Sequence, residues 1–116
     1  MTAAAQLALD LSPLTEPDYT PELTLDERFD LFHAANPHVA DALEHLAEAW
    51  LSSQRSVGVK ALYERLRWAA IETHNDPYRL NNSYTSRYAR LLLARRPEGQ
   101  GRIEVRALAK ERAGDH

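Results

Sequence analysis

Two steps in which proline follows a polar residue, Asn36-Pro37 and Asp76-Pro77, most constrain what this chain can fold into. Proline cannot continue a helix that began before it, and it pushes the preceding residue out of helical geometry. Around these steps, apolar residues recur at the three- and four-residue spacing of amphipathic helices. The pattern predicts a small, mainly α-helical fold whose helices start at marked positions.

Capping residues mark the predicted helix starts. Thr24-Leu-Asp-Glu27 is a capping box, in which the threonine oxygen accepts from first-turn amides while Glu27 reaches back. At Asn36-Pro37, asparagine can cap a helix and proline suits its first turn. The predicted helices span about residues 25–35, 37–52, 58–73 and 82–96. The side chains expected to be buried are Leu25, Phe29, Phe32, Val39, Leu43, Leu46, Ala47, Trp50, Leu51, Val59, Leu62, Leu66, Trp68, Ala69, Ala70, Tyr84, Tyr88, Leu91 and Leu92.

Two short β segments are predicted beside the fourth helix. One is Tyr78-Arg79-Leu80, and the other lies within residues 102–108, where apolar and polar residues alternate. The order helix, turn, helix, short strand, helix, strand is that of a winged helix-turn-helix domain. We therefore predict a mainly α fold, winged helix-turn-helix-like, with a short two-stranded β element.

Length and composition allow one domain with flexible margins. The 116 residues, 44% of them apolar, suffice for one small core. Residues 1–24, with their acids and prolines, predict a disordered acidic tail; residues 25–110 form the predicted domain, and residues 111–116 a frayed C-terminus. The chain has no cysteine and no apolar run of the ~20 residues that a membrane span needs. We expect a cytoplasmic protein with no membrane partner.

The net charge of -3 hides a division between the two halves of the chain. Residues 1–50 carry a net charge of -9, and residues 51–116 carry +6. Such asymmetry indicates that one end meets a polyanion, although a folded domain can also interleave these charges in space. The basic residues cluster around the fourth predicted helix, which favours DNA as the polyanion.

The fourth predicted helix is the candidate DNA-recognition helix. Short polar side chains at its front can reach base edges, while arginines can reach guanine edges or phosphates. Arginines on the flanking strands would contact the DNA backbone, as wing residues do. The predicted DNA-binding residues are Arg79, Asn82, Ser83, Thr85, Ser86, Arg87, Arg90, Arg95, Arg96, Arg102 and Arg106.

The alternative is an ordinary solvated helix face in a small helical domain. In support of it, the connection from Thr73 to Asn82 is longer than the tight turn of a standard helix-turn-helix. The corresponding function is a protein-interaction module without nucleic-acid binding. Its acidic N-terminal half would dock a host or partner protein, and its arginines would only balance charge.

A leucine-rich stretch in the predicted tail, Gln6-Leu7-Ala8-Leu9-Asp10-Leu11, suggests a second partner. It is similar to the hexapeptide by which bacterial polymerases and their accessory factors bind the sliding clamp, the beta subunit of DNA polymerase III. The resemblance implies that the Gln6 amide hydrogen-bonds at the pocket entrance, while Leu7, Leu9 and Leu11 fill a hydrophobic cleft as an extended peptide. Many such peptides have Phe or Pro near the end, where this chain has Asp10-Leu11. The alternative is that residues 3–11 form a marginal helix or strand packed on the protein's own core.

Three further stretches carry a wider resemblance. They are Phe32-His-Ala-Ala-Asn-Pro37, Val57-Gly-Val-Lys-Ala-Leu-Tyr-Glu-Arg-Leu-Arg-Trp68 and Leu80-Asn-Asn-Ser-Tyr-Thr-Ser-Arg-Tyr-Ala-Arg90. Over residues 25–108 the sequence resembles a group of small proteins encoded in phage and high-GC bacterial genomes, which often begin with a Gln-Leu-x-Leu-rich peptide. Because that group has no settled activity, the resemblance implies a shared domain and no catalytic residues.

No constellation of residues predicts catalysis or a cofactor. His38, Asp41 and His45 stand at helical spacing and could hold a metal ion, but an exposed polar face explains them equally well. The chain has no nucleophile elbow and no phosphate-cradling glycine loop. We therefore predict a non-enzymatic, DNA-associated accessory protein of replication, repair or regulation, with no metal site and no cofactor. A small hydrolase or metal enzyme built on those three residues is the third hypothesis.

Overall fold

The computed structural model describes residues 9–104, and four α-helices carry the fold of that part of the chain. They are α1 (Leu25–Ala35), α2 (Pro37–Leu51), α3 (Val59–His74) and α4 (Thr85–Arg95). Two short strands, β1 (Val57–Gly58) and β2 (Ile103–Glu104), pair with each other, and 3-10 turns at Asn82–Tyr84 and Pro97–Gly99 flank α4. The predicted small, mainly helical domain with a short two-stranded sheet is confirmed.

The predicted start of α1 is confirmed in atomic detail. The Thr24 hydroxyl oxygen accepts from the Glu27 N–H at 3.1 Å, and the Glu27 carboxylate accepts from the Thr24 N–H at 2.8 Å. At α2, Pro37 lies in the first turn as expected, but the Asn36 side chain makes no capping bond to the helix. That side chain binds the N-terminal segment instead.

The core lies where α2 packs against α1, α3 and α4. An aromatic group joins α1 to α4: the Phe29 ring meets Tyr84 and Tyr88 edge-on, with centroids 5.4 and 4.8 Å apart. Such edge-to-face pairs add to the stabilisation from burying the rings. The buried apolar side chains are Phe29, Phe32, Val39, Ala40, Ala42, Leu43, Leu46, Ala47, Val57, Val59, Leu62, Tyr63, Leu66, Ala70, Tyr78, Leu80, Tyr84, Tyr88, Ala89, Leu92 and Ile103.

Two side chains expected in the core lie at the surface. Trp68 is 61% exposed and Leu25 is 36% exposed. The buried residues of α3 include Leu62, Leu66 and Ala70, which repeat every four positions. Trp68 lies two positions beyond Leu66, about 200° further around a helix of 3.6 residues per turn, so it faces solvent. The prediction that Trp68 is a core residue was wrong.

The strands differ from those predicted. Residues 78–80 form no strand, although Tyr78 and Leu80 are buried. Within the predicted strand at 102–108, β2 covers Ile103 and Glu104, and the residues beyond 104 lie outside the described part. The partner of β2 is β1, in parallel, with Val57 opposite Ile103. In the sequence, α3 and α4 both lie between β1 and β2, and the two strands run parallel, so the pair is not a hairpin. The winged helix-turn-helix assignment stays a prediction.

Residues 9–24 precede α1 without helix or strand, with a turn at residues 21–22. Within this segment, Leu9, Leu11 and Leu14 are partly buried against the core. Helix α1 begins at Leu25, and the predicted domain bounds of 25–110 stay a prediction. Among residues 9–104, every helix is too short or too polar to cross a membrane.

Candidate nucleic-acid interface

The start of α4 carries four short polar side chains, Asn82, Ser83, Thr85 and Ser86, which we call the polar start of α4. Asn81 precedes them and caps the 3-10 turn, because its side-chain oxygen accepts from the Ser83 N–H at 2.8 Å. Asn82 and Ser83 are exposed, and Thr85 and Ser86 are half-buried. All four were predicted DNA contacts, and the structure brings them together at one end of the helix.

Helix α3 holds this region in place. The Tyr63 hydroxyl donates to the Asn81 carbonyl at 3.0 Å, and burial raises the pKa of Tyr63, so its proton is retained. The Arg67 guanidinium donates to the Leu80 carbonyl at 3.0 Å and to the Asn82 side-chain oxygen at 3.2 Å. The polar start of α4 is therefore fixed by hydrogen bonds from a neighbouring helix.

A shallow cleft lies beside the polar start of α4. Lys60, from the first turn of α3, lines it together with Asn82, Thr85 and Ser86, and Glu104 of β2 lines it as well. Lys60 is exposed and has no ion-pair partner among residues 9–104. The cleft combines one cation and one carboxylate with hydroxyl and amide groups. The lysine, hydroxyl and amide groups are side chains that contact phosphates and base edges in DNA-binding proteins.

Three of the arginines predicted to contact DNA form ion pairs with acids of α1 and α2. We call Arg87, Arg95 and Arg96 the paired arginines, and their role in DNA binding stays a prediction. Arg87 Nε lies 2.5 Å from Asp26 Oδ1 on α1. The Arg95 guanidinium lies 2.9 Å from Asp41 and 3.1 Å from Glu44, both on α2. The arginine-rich side of α4 thus packs against the acidic half of the chain.

Arg96 has the densest set of acidic neighbours. Its Nε lies 2.7 Å from Glu44 Oε2, its guanidinium also contacts Glu48, and Glu98 lies 3.7 Å away. The hydrogen bond from Arg96 lowers the pKa of Glu44, and the bond to Glu44 raises the pKa of Arg96. The opposite directions show that each charge stabilises the other.

The other predicted DNA-binding arginines have separate surroundings. Arg102 donates to the backbone carbonyls of Leu51, Gln54 and Arg55, at 2.7, 3.1 and 3.2 Å, and so caps the end of α2. Arg79 is exposed and has no hydrogen bond or ion pair among residues 9–104. Arg90 and Ser86 each have an interaction partner in the chain. Arg106 lies outside the described residues.

The clamp-binding-like peptide is only partly described. Gln6 and Leu7 lie outside the described residues, whereas Leu9 and Leu11 are half-buried against the core. This placement of the last two leucines agrees with the alternative interpretation, in which the peptide packs on the protein's own core. We call residues 9–15 the N-terminal strap.

Hydrogen bonds from three elements hold the N-terminal strap. Asn36, at 0% exposure, accepts from the Thr15 N–H at 2.6 Å and donates to the Thr15 carbonyl at 2.7 Å. The Ser12 carbonyl accepts from the Tyr78 hydroxyl and lies 2.9 Å from His38 Nε2. His74 Nε2 lies 2.6 Å from the Leu11 carbonyl. These bonds attach the strap to the start of α2, the end of α3 and the connection to α4.

The candidate metal ligands on α2 do not converge. His38 bonds to the strap and Asp41 pairs with Arg95, while His45 is exposed. Among residues 9–104, no group of three or more His, Cys, Asp or Glu side chains could hold a metal ion. The metal enzyme of the third hypothesis therefore has no ligand group within that range, and the small hydrolase stays a hypothesis.

Sequence reasoning gave two residues the wrong surroundings. Asn36 was interpreted as a helix cap, and its pairing with Thr15 spans 21 positions, beyond any local pattern. Trp68 was assigned to the core although its position departs from the four-residue repeat of Leu62 and Leu66, which was the available sign of exposure. Comparisons with protein-family models, with curated proteins and with solved structures gave no match. The resemblance to small phage and bacterial proteins stays a prediction.

Proposed function

We propose that this protein is a non-enzymatic accessory protein of DNA replication, repair or regulation. In this proposal it binds DNA through the polar start of α4, with α4 as the recognition helix of a winged helix-turn-helix-like domain. It binds the bacterial sliding clamp through its N-terminal peptide. The observation that carries the proposal is the cleft in which Lys60 lies beside Asn82, Thr85 and Ser86.

The polar start of α4 is suited to DNA for two physical reasons. Asn and Ser side chains at the front of a helix can reach base edges when that end enters the major groove. The first amides of a helix also favour a phosphate oxygen. Lys60 and Arg79 supply cations that have no ion-pair partner among residues 9–104. We therefore place the DNA contacts at the polar start of α4 and not at the paired arginines.

A DNA-binding measurement with matched variants tests this part. Lys60→Ala with Asn82→Ala should weaken binding to a labelled duplex at low salt by about tenfold, because a phosphate contact and a base-edge contact are lost. Arg95→Ala removes an equal charge from a paired arginine and should leave the affinity nearly unchanged. Fluorescence anisotropy reports both. A wild-type chain that binds neither duplex nor single-stranded DNA at low salt contradicts the proposal.

The clamp part of the proposal is supported by backbone conformation. From Leu9 to Leu11 the chain forms neither helix nor strand, so these residues need not unwind to bind as an extended peptide. Fully burying one leucine contributes about 1.5–3 kcal/mol. Three leucines can therefore offset the ordering of a short peptide and leave a micromolar interaction.

A peptide experiment tests the clamp part. A labelled peptide of residues 1–15 should bind a purified bacterial sliding clamp and be displaced by an established clamp-binding peptide. Gln6→Ala, or Leu9→Ala with Leu11→Ala, should abolish binding of the labelled peptide, because register and buried area are lost. Binding that survives both changes, or no binding at all, contradicts the clamp proposal.

A second candidate function, a protein-interaction module without DNA binding, is favoured by Trp68. Its ring is 61% exposed on α3, and tryptophan is enriched among the residues that dominate protein interfaces. The pairing of Arg87, Arg95 and Arg96 with acids also matches arginines that only balance charge. A chain that binds no DNA, and whose Trp68→Ala variant loses a protein partner that the wild type retains, would establish this candidate instead.

A further inference from the structure

The N-terminal strap contains two of the three leucines of the clamp-binding-like peptide. Leu9 and Leu11 are both packed against the domain's own core. A clamp cleft would have to bury the same two side chains, and one leucine cannot occupy two apolar sites at once. Docking on the domain and docking on a clamp are therefore mutually exclusive for this peptide.

Hydrogen bonds to the backbone of the strap, at and next to Leu11, help to keep these leucines packed against the core. His74 lies 2.6 Å from the carbonyl of Leu11 itself. The Tyr78 hydroxyl donates a hydrogen bond to the next carbonyl along the chain, that of Ser12. The Ser12 carbonyl oxygen also lies 2.9 Å from His38 Nε2. Burial raises the pKa of Tyr78 to about 12, so its hydroxyl keeps the proton it donates at neutral pH. The three side chains that make these contacts lie outside the peptide that a clamp would recognise, and one of them, His74, bonds to the last residue of that peptide, Leu11.

A firmer attachment follows the peptide and would stay in place after its release. Asn36 pairs with both backbone groups of Thr15 from a fully buried position, and Leu14 packs on the core. Pro13 lies between this attachment and Ser12, and an open cavity of about 360 Å³ borders Pro13 and Leu14. Residues 9–12 can therefore detach without breaking the Thr15 contacts.

We propose that the N-terminal strap is an intramolecular competitor that holds Leu9 and Leu11 of the clamp-binding peptide on the domain and lowers the affinity of that peptide for the clamp. The inference rests on the proposed clamp binding and adds its regulation. The apparent affinity of a ligand falls in proportion to the fraction of protein in the binding-competent state. A partner that displaces the strap would raise clamp affinity by enlarging that fraction.

Clamp binding by the full chain tests the inference directly. The wild-type chain should bind a purified bacterial sliding clamp at least about tenfold more weakly than the peptide of residues 1–15 does. Tyr78→Phe with His74→Ala removes two strap contacts and leaves the peptide intact, so it should tighten binding by about tenfold. His45→Ala, an exposed histidine on α2 away from the strap contacts, is the matched control and should bind like the wild type.

The possible results distinguish competition by the strap from clamp binding itself. If the full chain binds as tightly as the peptide, and the double variant matches the wild type, the competition is absent while clamp binding stands. If the peptide alone fails to bind, the clamp proposal is wrong and the competition falls with it. Thermal melting shows whether each variant is folded. If the double variant is unfolded, Tyr78→Phe alone replaces it, because this change keeps the buried ring, and it should tighten clamp binding by a smaller factor.

Discussion

Two groups of cations in this protein have opposite surroundings. Arg95 and Arg96, at the end of α4, each contact at least two carboxylates, chiefly Glu44 and its neighbours on α2. Lys60 and Arg79 lie on α3 and on the connection to α4, and neither has an acidic partner among residues 9–104. Local density of arginine in the sequence therefore does not identify the cations that are available to a polyanion.

The difference has an energetic consequence. To contact a phosphate, a paired arginine must first leave its carboxylates, whereas an unpaired lysine loses only its hydration. Counterion release from DNA favours both equally, so the intramolecular pairs decide which cations bind. The acidic half of the chain thus selects which basic residues remain available.

The largest expected effect comes from converting paired arginines into unpaired ones. Glu44→Gln with Glu48→Gln removes the main acidic contacts of Arg96 and one of those of Arg95. Affinity for DNA at low salt should then rise by about tenfold, because Arg96 keeps only the more distant Glu98, Arg95 keeps only Asp41, and both can reach phosphates more readily. Anisotropy titrations of the variant and the wild type measure the change.

A control variant distinguishes the release of particular arginines from the change in net charge. Glu72→Gln with Asp76→Asn makes the same change in net charge, and neither residue has an ion-pair partner among residues 9–104. This variant should gain far less affinity than the Glu44/Glu48 variant. Equal gains would mean that overall charge, and not the release of particular arginines, controls DNA binding.

A smaller effect is expected on stability. Glu44→Gln should lower the free energy of unfolding at pH 7 by about 1 kcal/mol or less, since partly exposed ion pairs contribute little. The pKa of Glu44 is lowered from its ordinary value of 4.5, chiefly by Arg96. A depressed carboxyl pKa stabilises the fold above pH 4.5 and loses that contribution as the pH falls below it. Urea denaturation should show the difference between variant and wild type at pH 7 and its disappearance in acid.

The smallest effect concerns His33, which lies near the paired arginines. Burial, and then the positive charge of Arg95, lowers the pKa of His33 below its ordinary value of 6.5. Arg95→Ala should move that pKa upward, because the repulsive charge is gone. An NMR titration of the His33 ring measures it. An unchanged titration would mean that Arg95 is distant from His33 in solution.

Local features of the fold could be predicted from the sequence. The capping box at Thr24 and the break at Pro37 involve residues within one helical turn, so their spacing fixed two helix starts correctly. The four-residue repeat of Leu62, Leu66 and Ala70 likewise identified the buried side of α3. Such patterns show which side of an element is apolar because burial repeats with the helix.

Long-range polar pairing could not be predicted in the same way. Asp41 and Arg95 lie 54 positions apart, and β1 pairs with β2 across two intervening helices. Periodicity indicates that a side is polar but not which charge on another element it meets. For that reason the arginines of α4 were all assigned to DNA, while the pairing of three of them emerged only from the folded chain.

The salt dependence of DNA binding tests most directly the claim that the unpaired cations, and not the paired arginines, contact DNA. Each phosphate contact contributes about 0.9 to the slope of log affinity against log salt concentration. Lys60→Ala with Arg79→Ala should therefore reduce the magnitude of the slope by about 1.8, whereas Arg95→Ala with Arg96→Ala should leave it unchanged. The reverse result, a smaller slope only when Arg95 and Arg96 are replaced, would show that the paired arginines leave their carboxylates to bind DNA and would contradict the claim.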